Sequence, residues 1–404
     1  MDITIYPRKL SGTVAAIPSK SLAHRYLICA ALADKPTMIL CPTTSKDIEA
    51  TAHCLTALGA KIQHTQEGYH VTPIGKLPQS ADLYCGESGS TLRFLLPVVG
   101  ALGIAGTFHM EGRLASRPLS PMWEEMERMG CHLSRPQENT ILCTGQLHQG
   151  SYTIPGNISS QFISGFLFAH AILGNCDLKI TDEIESKPYI ILTVDALAAF
   201  GVPCTRHYPY HLYLPECPKL TSPGTLTVEG DWSNGAFWIV AQKIGNDISV
   251  TGLDMQSHQG DRRLMDVLKQ YCVHAFPDVA EIPDLVPILS ILATCVEGCG
   301  FRNYERLRLK ESDRVEAIIQ MITALGGKAY VNDRPSELSI CGRPLKGGTV
   351  DSFNDHRIAM SAAIAATVCT EPVTILGAEC VNKSYPTFWE EYKRLGGHYE
   401  QHLR

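Results

Sequence analysis

A spacing of about 70 residues recurs along this chain, and it limits the possible folds more than any single motif does. Amphipathic helical stretches end on a glycine that leads into an alternating stretch. The cases are Leu55–Leu58 into Gly59, Trp123–Met129 into Gly130, Val194–Phe200 into Gly201, Ile318–Leu325 into Gly326 and Phe388–Leu395 into Gly396. Glycine just past a helix accepts the left-handed backbone that closes the last turn. Gly59 to Gly130 and Gly130 to Gly201 are each 71 residues apart, and Gly326 to Gly396 are 70 apart. A sixth copy is expected near Val273-His274-Ala275, where the glycine is missing. Three caps are followed by a further strand, at Tyr69–Ile74, Thr140–Cys143 and Glu337–Cys341.

A second series of helices is interleaved with the first. Six strongly apolar segments each follow small, polar or charged residues. These are Leu22–Ala33 after Lys20-Ser21, Leu92–Leu102 after Gly89-Ser90, and Phe162–Leu173 after Ser159-Ser160-Gln161. The others are Ala236–Gln242 after Ser233-Asn234-Gly235, Leu285–Cys295 after Pro283-Asp284, and Ile358–Val368 after Asn354–Arg357. A helix that is apolar all round is buried, whereas its amphipathic sibling forms an outer layer. The repeat therefore reads as strand, buried helix, strand, surface helix and two strands, six times over. A solenoid is the simplest home for a repeat, but units this long, each with its own buried helix, favour closure into two compact domains of three. Pro215, Pro218 and Pro223 mark a boundary near Cys217–Thr225, and the ligand site is expected in the cleft between domains.

Composition bounds the partners. A net charge of −6 gives no overall basic field for nucleic acid or an anionic membrane, so any anion must be held by a local cluster. Fifteen cysteines contain no C-x-x-C pair, and many sit in apolar runs, the pattern of reduced thiols in a cytoplasmic protein. No metal-ligand spacing of the H-E-x-x-H kind is present, and His53, His170 and His207 are read as structural. Met1–Ile5 alternates like a strand rather than a signal peptide, and no apolar run approaches the ~20 residues that span a bilayer.

The chemistry lies at the starts of the buried helices, where unpaired N–H groups and the helix dipole attract anions. Hydroxyls (Ser21, Ser90, Ser159, Ser160), a glycine (Gly89) and cations (Lys20, Arg357) gather there. Arg25 lies one turn beyond Ser21 and can reach the same place. Each start alone could be an ordinary cap; their repetition favours an anion site. Gly86–Thr91 lacks the lysine of a Walker motif, and no G-x-G-x-x-G follows a strand, so a nucleotide cofactor is not indicated. Leu307–Arg314 packs two acids and three bases ahead of an amphipathic helix, with Asp313 and Glu316 spaced as an acidic capping box. Asp284 is either the cap of its helix or an acid set among cations, and so a candidate general base.

Taken in order, these motifs resemble the EPSP synthase family of enolpyruvyl transferases over essentially the whole chain. The matching residues are Pro18–Ser21 with Arg25, Gly89–Arg93, Ser116–Leu119, Ser159–Gln161, Ser186–Tyr189, Ile282–Asp284, Leu309–Arg314, Asn354–Arg357 and Lys383. The resemblance implies an α/β fold of two inside-out α/β barrel domains with three βαβαββ units each. It implies one discontinuous domain of residues 1–18 plus 226–404 and another of 19–225, a cytoplasmic monomer, and no cofactor or metal. It implies transfer of the enolpyruvyl group of phosphoenolpyruvate to the 5-hydroxyl of shikimate 3-phosphate. By the same resemblance Lys20, Ser21, Arg25, Ser159, Ser160, Gln161, Ser186, Asp284 and Lys310 hold shikimate 3-phosphate. Lys20, Gly89, Arg117, Gln161, Arg314, Arg357 and Lys383 hold phosphoenolpyruvate, while Asp284, Glu311 and Lys20 are catalytic.

Three places depart from the family pattern. Arg306 stands where better-known members carry Asn, Glu87-Ser88 replaces Asn-Ala, and Phe94 replaces Pro. Retention of Gly89 implies sensitivity to glyphosate. The related UDP-N-acetylglucosamine enolpyruvyl transferases usually carry a reactive cysteine ahead of the Arg-Pro pair, and Glu111–Ser116 has none. A non-catalytic anion-binding protein on the same scaffold is disfavoured by Lys20, Asp284 and Glu311 standing together.

Overall fold

The computed structural model describes residues 1–207, 211–214, 219–270 and 277–402. The expected helix end at Val273–Ala275 falls outside these residues, as do Pro215, Cys217 and Pro218 and the side chain of His207. The chain forms two compact units, Met1–Ile17 with Gly230–Arg404, and Pro18–Glu229.

The chain enters through β1 (Asp2–Tyr6) and β2 (Ser11–Ala15) and passes into the unit Pro18–Glu229. There α1 (Lys20–Ala31), β3 (Thr37–Leu40), α2 (Lys46–Ala57), β4 (Lys61–His64) and β5 (Gly68–Thr72) form a first repeat. The second is β6 (Ser80–Gly86), α3 (Gly89–Leu102), β7 (Ala105–Met110), α4 (Met122–Arg128), β8 (Cys131–Gln137) and β9 (Thr140–Gly145). The third is β10 (Ser151–Pro155), α5 (Ser160–Leu173), β11 (Cys176–Thr181), α6 (Lys187–Ala199), β12 (Thr205–His207) and β13 (His211–Leu214), with β14 (Thr225–Thr227) after it. The other unit continues with α7 (Trp232–Lys243), β15 (Asp247–Thr251) and α8 (Leu264–Gln270). Then come α9 (Val286–Thr294), β16 (Gly298–Phe301), α10 (Arg314–Ala324), β17 (Ala329–Asp333) and β18 (Ser336–Cys341). The last repeat is β19 (Gly348–Asp351), α11 (His356–Ala366), β20 (Val373–Leu376), α12 (Phe388–Arg394) and β21 (His398–His402).

The sheets show one plan. In β6-β7-β9-β8 and β10-β11-β13-β12 the first two strands of a repeat pair in parallel and the last two form an antiparallel hairpin. The sheet β14-β3-β5-β4 borrows its first strand from beyond the third repeat. The sheet β19-β20-β1-β21 takes its fourth from the N-terminus, pairing Ile3 with Ile375. Hence the chain's first strand completes its last repeat. The expected boundary at 225/226 moves, because β14 pairs with β3 and Ser19 N–H donates to the Glu229 carbonyl at 2.8 Å. The strands cross after Glu229, and Asp231 N–H donates to Ile17 at 2.7 Å within the other unit.

All five cap glycines hold positive φ, from +79° at Gly201 to +111° at Gly130. The two helix series also separate by burial. In α9 and α11 every residue is buried, and in α3 nearly all are, whereas α2, α4, α6, α10 and α12 bury one face. The strands covering them alternate, as β6 and β7 do, because only one sheet face meets the core. Each unit has its own apolar core. Close approach of α5 to α3 depends on Gly165, where a Cβ would lie 2.2 Å from the Arg93 carbonyl oxygen. No helix among the described residues is long and apolar enough to cross a membrane.

Candidate active site

In the unit Met1–Ile17 with Gly230–Arg404, the site is organised around Arg314, the first residue of α10, whose side chain is fully buried. Asp313 caps this helix, accepting from Val315 N–H at 3.1 Å and Glu316 N–H at 3.2 Å. Glu316 instead accepts from Gln320, so the cap does not depend on the reciprocal half of the box. Arg314 donates to Asp284 Oδ1 at 2.6 Å, to Glu311 Oε2 at 2.7 Å and to Asp355 Oδ2 at 2.8 Å. One guanidinium thus holds three carboxylates, two of them the candidate base and acid that the family resemblance implies. Burial opposes its charge, yet Asp355, Glu311 and Asp284 raise its pKa well above the ordinary value.

Asp284 does not cap its helix. The cap position of α9 is Leu285 and carries no side-chain bond. Instead Asp284 Oδ2 lies 3.2 Å from Arg357, Lys310 Nζ lies 3.5 Å from Oδ1, and its carbonyl accepts from Arg357 at 3.3 Å. Burial pushes its pKa up, but Arg357, Lys310 and Arg314 together hold it well below the usual carboxylate value. Arg357 is placed by α11, whose start Asp355 caps at 3.0 Å. Lys383 Nζ donates to the carbonyl of Asn354, at the same helix start, at 2.7 Å.

Three acids in these networks went unread in the sequence. Asp355 caps α11 and also accepts from Ser312 Oγ at 3.0 Å while pairing with Arg314. Asp47 lies in the first turn of α2, and its carboxylate is 2.8 Å from Lys20 Nζ. Asp261 had no sequence signal. It is buried against Ser233 in the first turn of α7. Burial, then the charge of Asp284, raises its pKa from 3.8 to about 6, against the opposing pull of Arg357 and Ser233. A folded pKa above the unfolded one contributes stability below about 3.8 that is lost as pH rises through about 6. The Asp261→Asn variant is therefore expected to lose part of the wild-type fall in stability between pH 4.5 and 7, measured by chemical denaturation. Identical pH slopes would contradict this.

In the unit Pro18–Glu229 the expected residues sit at the starts of α1, α3, α5 and α6. Lys20, Ser21 and Arg25 lie on α1. The buried Arg25 guanidinium donates to Thr193 Oγ1 at 2.8 Å, the Ser21 carbonyl at 2.6 Å and the Tyr189 carbonyl at 2.8 Å, tying α1 to α6. Ser186 stands at the start of α6 with φ +54°. Ser159 caps α5, and the next residue but one, Gln161, joins α5 to α3. Its Oε1 accepts from Arg93 at 2.7 Å, and its Nε2 donates to Ser90 Oγ at 3.0 Å. Ser160 opens α5 and is buried. Gly89 lies beside Arg117, where a Cβ would come 2.7 Å from the guanidinium, and Arg117 Nε is buried without a hydrogen-bond partner among the described residues.

His170 is packed by Tyr152, and burial lowers its pKa to about 3, which fits a structural role. No cluster of three potential metal ligands occurs among the described residues.

The family model of EPSP synthase (3-phosphoshikimate 1-carboxyvinyltransferase) matches residues 5–392. The chain belongs to the EPSP synthase family. It is 39% identical to the 3-phosphoshikimate 1-carboxyvinyltransferase of Clostridium kluyveri over 421 aligned positions, covering 99% of this chain and 98% of that one. Against the Clostridium acetobutylicum protein of the same name, identity is 38% with 98% and 97% covered. Among solved structures, EPSP synthase from Acinetobacter baumannii superposes with a TM-score of 0.80 at 23% identity, covering 99% and 100% of the two chains. The enolpyruvyl transferase NikO from Streptomyces tendae gives 0.75 at 18%, covering 99% and 98%. These two likenesses show the enolpyruvyl transferase fold shared with the EPSP synthase family.

Proposed function

We propose that this chain transfers the enolpyruvyl group of phosphoenolpyruvate to the 5-hydroxyl of shikimate 3-phosphate, releasing inorganic phosphate. The observation that carries the reading is Arg314 holding both Asp284 and Glu311 within hydrogen-bond distance. Asp284 removes the proton of the 5-hydroxyl as its oxygen bonds to C2 of phosphoenolpyruvate, and Glu311 delivers a proton to the methylene C3. In the elimination Glu311, now a carboxylate, takes back a methyl proton as the C2–O bond to phosphate breaks and the double bond re-forms, and the proton held by Asp284 leaves with the phosphate.

Lys20, Ser21, Arg25, Ser159, Ser160, Gln161, Ser186 and Lys310 are assigned to shikimate 3-phosphate. Lys20, Gly89, Arg117, Gln161, Arg314, Arg357 and Lys383 are assigned to phosphoenolpyruvate. Fixed cations of this kind stabilise charge that develops in the adduct, and holding two polyanions together removes much of the entropic barrier.

The network also suggests how Asp284 becomes a base. A carboxylate held low in pKa by Arg357, Lys310 and Arg314 binds protons weakly. Anionic substrate groups that engage those cations offset their pull, so the basicity of Asp284 rises as the substrates arrive.

The direct test is phosphate release from phosphoenolpyruvate with shikimate 3-phosphate or UDP-N-acetylglucosamine as acceptor. Release with the first alone is expected, and release only with the second would overturn the assignment. Glyphosate is expected to inhibit, and unaffected turnover at saturating glyphosate would refute that. Gly89→Ala would push on Arg117 and Arg93, 2.7 and 3.2 Å from the new Cβ. We expect it to raise KM for phosphoenolpyruvate by roughly tenfold and to weaken glyphosate inhibition, since small displacements of positioning groups are costly. An unchanged KM would show that Arg117 does not depend on this space.

A further inference from the structure

A line of four buried side chains runs between the starts of α1, α2 and α3, and none of them is assigned to a substrate. His24 Nδ1 lies 2.7 Å from Thr51 Oγ1, Thr51 Oγ1 lies 2.7 Å from Thr91 Oγ1, and Thr91 Oγ1 lies 2.7 Å from Ser88 Oγ. All four residues are at most 1% exposed. Ser88 Oγ also accepts from Thr91 N–H at 3.2 Å, capping α3 immediately before Gly89. The Thr91 hydroxyl is 3.4 Å from the carbonyl of Asp47, whose carboxylate holds Lys20. We propose that His24, Thr51 and Thr91 are positioning residues, whose chain fixes the Gly89 turn relative to the Lys20–Asp47 pair and so sets the affinity for phosphoenolpyruvate.

The chain has a consistent direction. His24 Nε2 is buried without a partner among the described residues, and an acceptor there avoids a buried donor with nothing to bond. His24 then donates from Nδ1 to Thr51, Thr51 to Thr91, and Thr91 to Ser88, with the Asp47 carbonyl a weaker second acceptor of the same hydroxyl hydrogen. Burial, and then the charges of Lys20 and Arg25, keep the ring neutral by lowering its pKa well below 6.5. Apolar residues could fill the same space without the cost of burying hydroxyls. What hydrogen bonds add is fixed direction and separation: buried polar groups that satisfy one another admit few arrangements. Here the arrangement ends on Ser88, whose oxygen sets the first turn of α3 and hence the N–H groups beside Gly89.

The proposal rests on the enolpyruvyl transfer reading, and Thr51→Val tests it by replacing a hydroxyl with a methyl of similar size. The expected result is a rise of about tenfold in KM for phosphoenolpyruvate with less than about a twofold change for shikimate 3-phosphate, as for loss of a buried hydrogen bond. Thr51→Ser is expected to restore both. A merely structural role would scale kcat with the folded fraction and leave both KM values in place, and that result would overturn the proposal, as would failure of Thr51→Ser to restore. Thr91→Val, which removes the links to Ser88 and Asp47, is judged by the same split. Failure of both valine variants to fold would make the chain a folding element and overturn the proposal too. Wild type is assayed alongside. An active wild type with unchanged variants sinks only this inference, whereas an inactive wild type sinks the functional reading and this inference with it.

Discussion

Replacing Asp284 by Asn is expected to lower turnover by about two orders of magnitude, the usual worth of a general base. Asn keeps the size of the side chain and one acceptor oxygen, so Arg314 retains Glu311, Asp355 and a weaker bond at position 284. What is lost is the ability to take up a proton, together with the charge shared by Arg357, Lys310 and Arg314. Glu311→Gln should cost a similar factor by removing the proton that reaches C3. Steady-state kcat at saturating substrates measures both, and near-normal turnover in either variant would take that residue out of the mechanism.

Arg314→Leu is expected to destabilise its unit by about 3–5 kcal/mol, the typical effect of breaking a buried ion pair by removing one partner. The fully buried Asp355 would lose its cation while keeping, among the described residues, Ser312 and the α11 cap as partners. Asp284 would keep Arg357 and Lys310, and Glu311 would lose its bond to Arg314. Trp232, Trp238 and Trp389 all lie in this unit and give the denaturation a fluorescence signal. Arg314→Lys should recover only part of the loss, since one ammonium cannot reproduce the fork that reaches three carboxylates. An unchanged unfolding midpoint in Arg314→Leu would contradict the central place given to this residue.

Much of the architecture was legible because the repeat is written in local chemistry. Gly59, Gly130, Gly201, Gly326 and Gly396 each close a helix through their own backbone, so their positions announced the helix ends without any tertiary knowledge. Burial of α9 and α11 followed from composition alone. The exchange of β14 and β1 between repeats was less visible. Thr225–Thr227 is a three-residue edge strand whose pairing with Met38–Leu40 is set by contacts nearly 190 residues apart. That is why the expected boundary fell four residues short of the crossing after Glu229.

The site shows the same division. Lys20, Gly89, Asp284, Glu311, Arg314 and Arg357 stood out because helix starts rich in charge and glycine are locally recognisable. Their partners did not. Asp47 meets Lys20 from 27 residues away, Asp355 meets Arg314 from 41, and Asp261 is buried against Ser233 from 28. Asp284 had two local readings, a cap or an acid among cations, and its side chain turns to the cations.

The central claim is that C3 of phosphoenolpyruvate gains a proton and then loses one, by addition followed by elimination. It is tested most directly by running the reaction in deuterium oxide and analysing the enolpyruvyl group of the product by mass spectrometry. Addition places a solvent-derived hydrogen on C3 and makes a methyl group from which any hydrogen can be lost, so deuterium is expected in the product's methylene carbon. A product formed at the normal rate whose methylene carries only protium would contradict it.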